Sequence, residues 1–158
     1  MAATNPATNY WLMKSEPESY SIDQLKKDKK TLWTGVRNYQ ARNFMIDKMK
    51  PGDVFFFYHS STEPPGIVGL GHITKVNQPD PTALDPKSDY YDPKASTDRP
   101  IWMCAEVAFD EKWKKPLTLS ELREEKALAK MVLLQRGSRL SIQPVSKAEF
   151  DHIMKMKG

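Results

Sequence analysis

The sequence predicts an α+β domain, with about five or six strands forming a small curled sheet or barrel and helices packed outside it. Three observations predict this class. Short runs rich in aromatic and β-branched residues recur between turn signals. Three polar residues, Ser21, Thr118 and Ser146, each stand three positions before a Gln or Glu, the spacing of a helix capping box. No repeat or linker divides the 158 residues, a length that suits one domain.

The elements follow in chain order. Tyr10-Trp-Leu-Met-Lys14 is a first strand. Ser21 opens a helix to about Lys27, with Gln24 at the third helical position. Residues 31–38 are a loop or short strand containing Gly35. From Tyr39 to Met49, Phe44, Met45 and Met49 recur at helical spacing, and Pro51-Gly52-Asp53 stops that helix. Val54-Phe-Phe-Phe-Tyr58 is a buried strand. Residues 66–76 form the next strand, whose glycines mark a bulge, a bend or a close backbone approach.

Residues 77–100 hold five of the twelve prolines together with Tyr90 and Tyr91. A loop of that length is usually functional, and the two tyrosines predict that it packs down. Residues 101–109 are a strand that buries Cys104 as a small hydrophobe. Thr118 and Glu121 start a helix to about Lys126. Residues 131–134 are apolar, and Leu140 and Ile142 alternate with polar residues as in a strand. Ser146 and Glu149 open a last helix with Phe150, Ile153 and Met154 on one face. Residues 1–8 read as a frayed leader before a single domain at 9–157.

Composition excludes several classes. The apolar share is 39% and the charged share 28%, which suits a packed globular core and not a disordered chain. The net charge of +4 is compatible with an anionic partner such as nucleic acid, and equally with none. One cysteine allows no internal disulfide and predicts a reducing compartment. No apolar run reaches the roughly 20 residues that span a bilayer, and the first residues have neither a basic nor an apolar signal region. Lys26-Lys27-Asp28-Lys29-Lys30 is broken by an acid and is no import signal. These features predict a cytoplasmic protein with no membrane partner.

The chemistry-bearing residues are sparse. His59, His72 and His152 lack helical zinc spacing and no cysteine pair exists, so neither a metal nor another cofactor is expected. Gly66, Gly69 and Gly71 lie within a strand and not at a strand-to-helix turn, so they do not cradle a dinucleotide. They serve either sheet curvature or a backbone on which a flat ligand can lie. Lys14 and Glu16 could form an acid–base pair at a strand end, or Ser15 and Glu16 could simply cap a turn before Pro17. Trp33 is the least core-like aromatic, standing between Leu32 and Thr34-Gly35-Val36-Arg37. An aromatic face in a concave site stacks a base, contributing roughly 1–3 kcal/mol.

Longer motifs sharpen the reading. Trp11-Leu-Met-Lys-Ser-Glu-Pro17, residues 32–44 (Leu-Trp-Thr-Gly-Val-Arg-Asn-Tyr-Gln-Ala-Arg-Asn-Phe), Phe57-Tyr-His-Ser60, Pro65-Gly-Ile-Val-Gly69, Tyr90-Tyr-Asp-Pro93 and Arg136-Gly-Ser-Arg-Leu-Ser141 resemble, in order, the EVE domain. The resemblance covers about residues 9–157. It implies a PUA-like fold, kinship with the YTH domains that read methylated adenine in RNA, and a non-catalytic reader of a modified base. Methylated or hydroxymethylated cytosine in DNA leads, with a modified RNA base as the other partner implied. YTH cages use two or three aromatics, whereas only Trp33 matches one here, so the resemblance implies a mixed pocket with one stacking face and polar edges.

The expected mechanism is base flipping, which costs a few kcal/mol of stacking and pairing. Trp33 stacks on the flipped base. Lys14, Ser15, Glu16 and Asn38 read its polar edge, and Tyr58, His59, Ser60 and Gly66 complete the pocket. Arg37, Arg136, Ser138 and Arg139 hold the flanking backbone. The alternative is an amidohydrolase resembling the ASCH domains, acting on acylated cytidine through Lys14 and Glu16.

Overall fold

A computed structural model describes residues 9–136 and 140–157. Its strands are β1 (Tyr10–Ser15), β2 (Lys30–Leu32), β3 (Val54–His59), β4 (Gly66–Pro79), β5 (Met103–Thr118) and β6 (Ile142–Val145). They form one six-stranded sheet in the order β2-β5-β4-β3-β1-β6. β1 and β3 run parallel, from Tyr10 beside Val54 to Ser15 beside His59, and every other pairing is antiparallel. The sheet is open and not closed into a barrel: the short strands β2 and β6 form its edges. Pro144 sits in β6 opposite Trp11, an edge position where its missing N–H costs no ladder bond.

Side-chain alternation divides the core between the two faces of the sheet. On one face Trp11, Met13, Phe55 and Phe57 pack with Trp33, Val36 and the helices α1 (Ile22–Asp28) and α2 (Tyr39–Asn43). On the other, Tyr10, Leu12, Phe56 and Tyr58 pack with α3 (Leu119–Arg123) and α4 (Lys147–Met156). Both faces of β3 are therefore covered, which is why residues 54–58 read as an unbroken apolar run.

The structure refines several elements. α3 and α4 each have the full reciprocal capping box. Ser21 accepts from the Gln24 backbone N–H at 3.1 Å, but the Gln24 side chain turns to Asp28, so α1 has half a box. The expected helix over 39–49 is α2 followed by a π-helical turn, Phe44–Lys48. The strand expected to end at Phe109 continues to Thr118 as β5, pairing with β4 over a register that slips at several points. The loop after β4 folds down: Asp92 N–H donates to the Ala83 carbonyl at 3.0 Å, and Trp102 Nε1–H donates to Asp92 at 2.8 Å. The leader at 1–8 lies outside the described residues.

Candidate functional site

The parallel pairing of β1 and β3 brings their C-terminal ends together, and the Ser60 N–H donates to the Ser15 carbonyl at 3.0 Å. Beside that corner lies a cleft of about 480 Å³, within the usual size range of small-molecule sites. Ser15, Glu16, Ser19 and Tyr20 form one wall; Thr31 to Arg37 form another; Ser60, Tyr90 and Ser141 complete the rim.

Trp33 is anchored by its backbone N–H, which donates to the Ala105 carbonyl at 2.8 Å. Its ring meets Phe55 and Phe57 edge-on, at 5.8 and 5.3 Å between centroids. Only 7% of the residue is exposed. The expectation that Trp33 is the least core-like aromatic is thereby corrected: it belongs to the core on this face of the sheet, its backbone held by β5 and its ring packed on β3. What it offers the cleft is a limited part of its surface. Its indole N–H makes no hydrogen bond among the described residues.

Gly35 makes that turn with φ +84°, and a Cβ there would stand 2.9 Å from the Tyr90 ring. No other residue takes that backbone conformation so cheaply, and none would let the ring lie so close. The buried carboxylate of Asp80 fixes the arrangement. It accepts from the Gly35 N–H at 2.9 Å, from Arg37 Nη1 at 3.0 Å and from the Thr82 backbone and hydroxyl at 2.8 and 2.5 Å. Burial alone would raise the Asp80 carboxyl, but the bonds from Thr82, Gly35 and Arg37 outweigh it and hold the group below the usual carboxylate range.

Arg37 is not available to a phosphate. Its five N–H groups go to the carbonyls of Val36 and Tyr90 (the latter twice), to Asp80 and to the Thr82 hydroxyl. It lines the cleft as the clamp that holds the loop carrying Tyr90. The expected backbone-binding role would therefore have to displace one of these internal bonds.

Other expected residues divide between the cleft and the scaffold. Ser15, Glu16, Trp33 and Ser60 share the cleft lining. The Ser15 hydroxyl donates to the Tyr20 carbonyl at 2.6 Å, while the Glu16 side chain is exposed. Lys14 also contributes to the lining, but its amino group lies 5.8 Å from the centre of the Tyr58 ring, and burial lowers its pKa. Tyr58 is not in the cleft. It belongs to the core on the opposite face from Trp33, since neighbouring strand residues alternate. His59 is not in the lining either: its Nε2 accepts from the Ile22 N–H at 3.1 Å and so caps the start of α1. Asn38 spends its side-chain oxygen on the Ala41 N–H as the cap of α2.

Gly66 is a matter of close strand approach: a Cβ would stand 2.6 Å from the Leu117 carbonyl oxygen. That close approach accounts for the glycine as sheet geometry, and Gly66 is not among the residues lining the cleft. Arg136 is exposed, and Ser138 and Arg139 lie outside the described residues. Lys14 and Glu16 form no ion pair among the described residues, and no three of their His, Cys, Asp and Glu side chains gather as a metal site would need.

The residues that sequence reasoning missed are Tyr20, Thr34, Tyr90 and Ser141. Burial and the bond to Asp28 push the Tyr20 hydroxyl up to about 12, so it is a neutral aromatic wall at ordinary pH. Tyr20 and Tyr90 line the cleft together with Trp33. Their signal was present: Tyr90 in a proline-rich loop, and a glycine at 35 that leaves room for a ring.

The human protein "Thymocyte nuclear protein 1" is 43% identical over 95% of this chain and 74% of its own length. A solved protein from Pseudomonas syringae is 48% identical, with a TM-score of 0.91 over 94% of this chain and 99% of its own. The human THYN1 protein in complex with 5-methylcytosine containing DNA is 41% identical, with a TM-score of 0.88 over 95% of this chain and 98% of its own. An ASCH protein from Zymomonas mobilis shares the fold alone, at 12% identity and a TM-score of 0.52 over 93% of this chain and 97% of its own. Residues 9–156 match the EVE domain, and with that match and these relatives the chain belongs to the EVE domain family.

Proposed function

We propose that this chain is a non-catalytic reader of modified cytosine in DNA, and that the modified base occupies the cleft between Trp33, Tyr20 and Tyr90. The carrying observation is a cleft of about 480 Å³, more room than a single base needs, lined by three aromatic residues and by Ser15, Glu16, Ser60 and Ser141, in a chain 41% identical to a protein solved with 5-methylcytosine containing DNA. To enter, the base leaves its stack at a cost of a few kcal/mol. The aromatic walls replace lost stacking and the serines and Glu16 meet the polar edge. Trp33 contributes the floor and its unspent indole N–H. A methyl group buried against these rings contributes about 0.8 kcal/mol, about a fourfold preference over plain cytosine. Hydroxymethylation would draw on the same serines.

The amidohydrolase reading requires Lys14 and Glu16 to face one substrate, whereas the Lys14 amino group lies over Tyr58 and is unpaired with Glu16. Both residues line the cleft, but that lining alone does not pair them for acid–base work.

The test is binding at fixed salt to matched strands carrying cytosine, 5-methylcytosine, 5-hydroxymethylcytosine or N6-methyladenine, as DNA and as RNA. Preference for modified cytosine in DNA, reduced by Ser15→Ala and by Trp33→Phe, supports the reading. Equal, salt-sensitive binding to every strand would overturn it, and preference for an RNA strand would move the assignment to RNA.

A further inference from the structure

The three exposed large hydrophobic residues among the described ones are Tyr39, Tyr90 and Tyr91, and Tyr39 is the most exposed at 59%. Tyr39 lies flat on Trp102, with centroids 4.8 Å apart and planes 26° apart. The Arg42 guanidinium is 4.7 Å from the Tyr39 ring and 5.7 Å from Trp102. The Arg42–Trp102 distance is far shorter than the other two combined, the separation that opposite faces of Tyr39 would require. Arg42 therefore sits beside the stacked pair and not on the outer face of Tyr39, which stays open.

Tyr39 is also held rigidly enough to be a platform. It is the first residue of α2, capped by Asn38, and Trp102 beneath it is fixed by its bond to Asp92. Arg42 differs from Arg37 in a way that matters for an anion. Three of its N–H groups are engaged, two with Asn43 and one with the Ile101 carbonyl. Two have no partner among the described residues. An open aromatic face with a partly free guanidinium near it is a pairing that binds a nucleotide, base on ring and phosphate on guanidinium.

The platform is continuous with the cleft. Arg37 lies 5.5 Å from the Tyr90 ring, which walls the cleft, and 5.2 Å from Trp102, on which Tyr39 stacks. The path from cleft to platform is a row of rings and guanidinium planes short enough for a strand to cross in a few nucleotides.

We infer that Tyr39, supported by Trp102 and flanked by Arg42, stacks an unpaired nucleobase of the same strand whose modified base enters the cleft. This rests on the reading above, and it adds to it the context of the base: a strand locally single-stranded on one side of the modification. A fully paired neighbour stays in its own stack and cannot reach Tyr39.

The test uses a short single-stranded DNA with one central 5-methylcytosine, its cytosine twin, and versions with abasic residues on the 5′ or 3′ flank. Wild type is compared with Tyr39→Ala and Tyr39→Phe. The expected result is about a tenfold loss of affinity for Tyr39→Ala on both strands, with retention in Tyr39→Phe and an unchanged preference for the modified base. Abasic residues on one flank should weaken wild type by a similar factor and leave Tyr39→Ala unaffected. Tyr39→Ala binding within twofold of wild type, with the modification preference intact, would overturn the platform and leave the cleft standing. No modification preference in wild type would overturn the cleft reading, and this inference with it.

Discussion

Arg37 holds the Tyr90 carbonyl with two N–H groups, Nε at 3.0 Å and Nη2 at 2.7 Å, while the same guanidinium is paired with the buried Asp80. The loop that walls the cleft is thus fastened to the segment that makes its floor. Arg37→Ala leaves Asp80 a buried charge without its cation and should cost about 3 kcal/mol, read by denaturant unfolding. Arg37→Lys should recover only part, because an ammonium cannot reach both partners in the fork geometry.

Gly35 and Tyr90 should behave as a coupled pair. Gly35→Ala places a side chain at φ +84° and against the Tyr90 ring, costing about 1–2 kcal/mol for the backbone alone. Adding Tyr90→Ala should relieve the collision but not the backbone strain, so the two effects should fail to add. Additivity in a double-mutant thermal-unfolding cycle would contradict the contact between Gly35 and the Tyr90 ring.

His59 predicts an acid-sensitive α1. Its Nε2 must be unprotonated to accept the Ile22 N–H, and burial lowers its pKa. A depressed folded value means that the unfolded chain binds the proton more readily. Stability from this site is whole above about pH 6.5 and falls as pH drops through the lower folded value. The slope of stability against pH below 6.5 should flatten in His59→Gln.

Cys104 should be inert. Burial pushes its thiol up to about 12, and 1% of the residue is exposed. A thiol reagent at neutral pH should label the folded protein only at the rate of unfolding, and rapid labelling would contradict the burial.

Much of this fold was legible in the sequence because its signals are local. The capping spacings at Thr118 and Ser146 and the apolar run at 54–58 marked their elements directly. What was illegible depends on faces and partners. Tyr58 follows Phe57, yet strand alternation sends it across the sheet from Trp33, and residue type alone cannot say which face holds the ligand. Arg37 looked like a phosphate contact because its partners, Asp80, Thr82 and Tyr90, are more than forty positions away. Trp33 read as the least core-like aromatic because Thr34 and Gly35 follow it, but its backbone bond to Ala105 and its ring contacts with Phe55 and Phe57 are long-range.

A modified cytosine in the Trp33–Tyr20–Tyr90 cleft would touch those residues in solution. The most direct measurement is an amide and indole NMR titration with free 5-methyl-2′-deoxycytidine. Shifts should gather at the Trp33 indole N–H and at the amides of Ser15, Thr34, Gly35 and Ser141, and should be larger than those caused by deoxycytidine at the same concentration. Shifts gathered instead on the opposite face, around Trp113 and Lys157, or equal responses to both nucleosides, would contradict it.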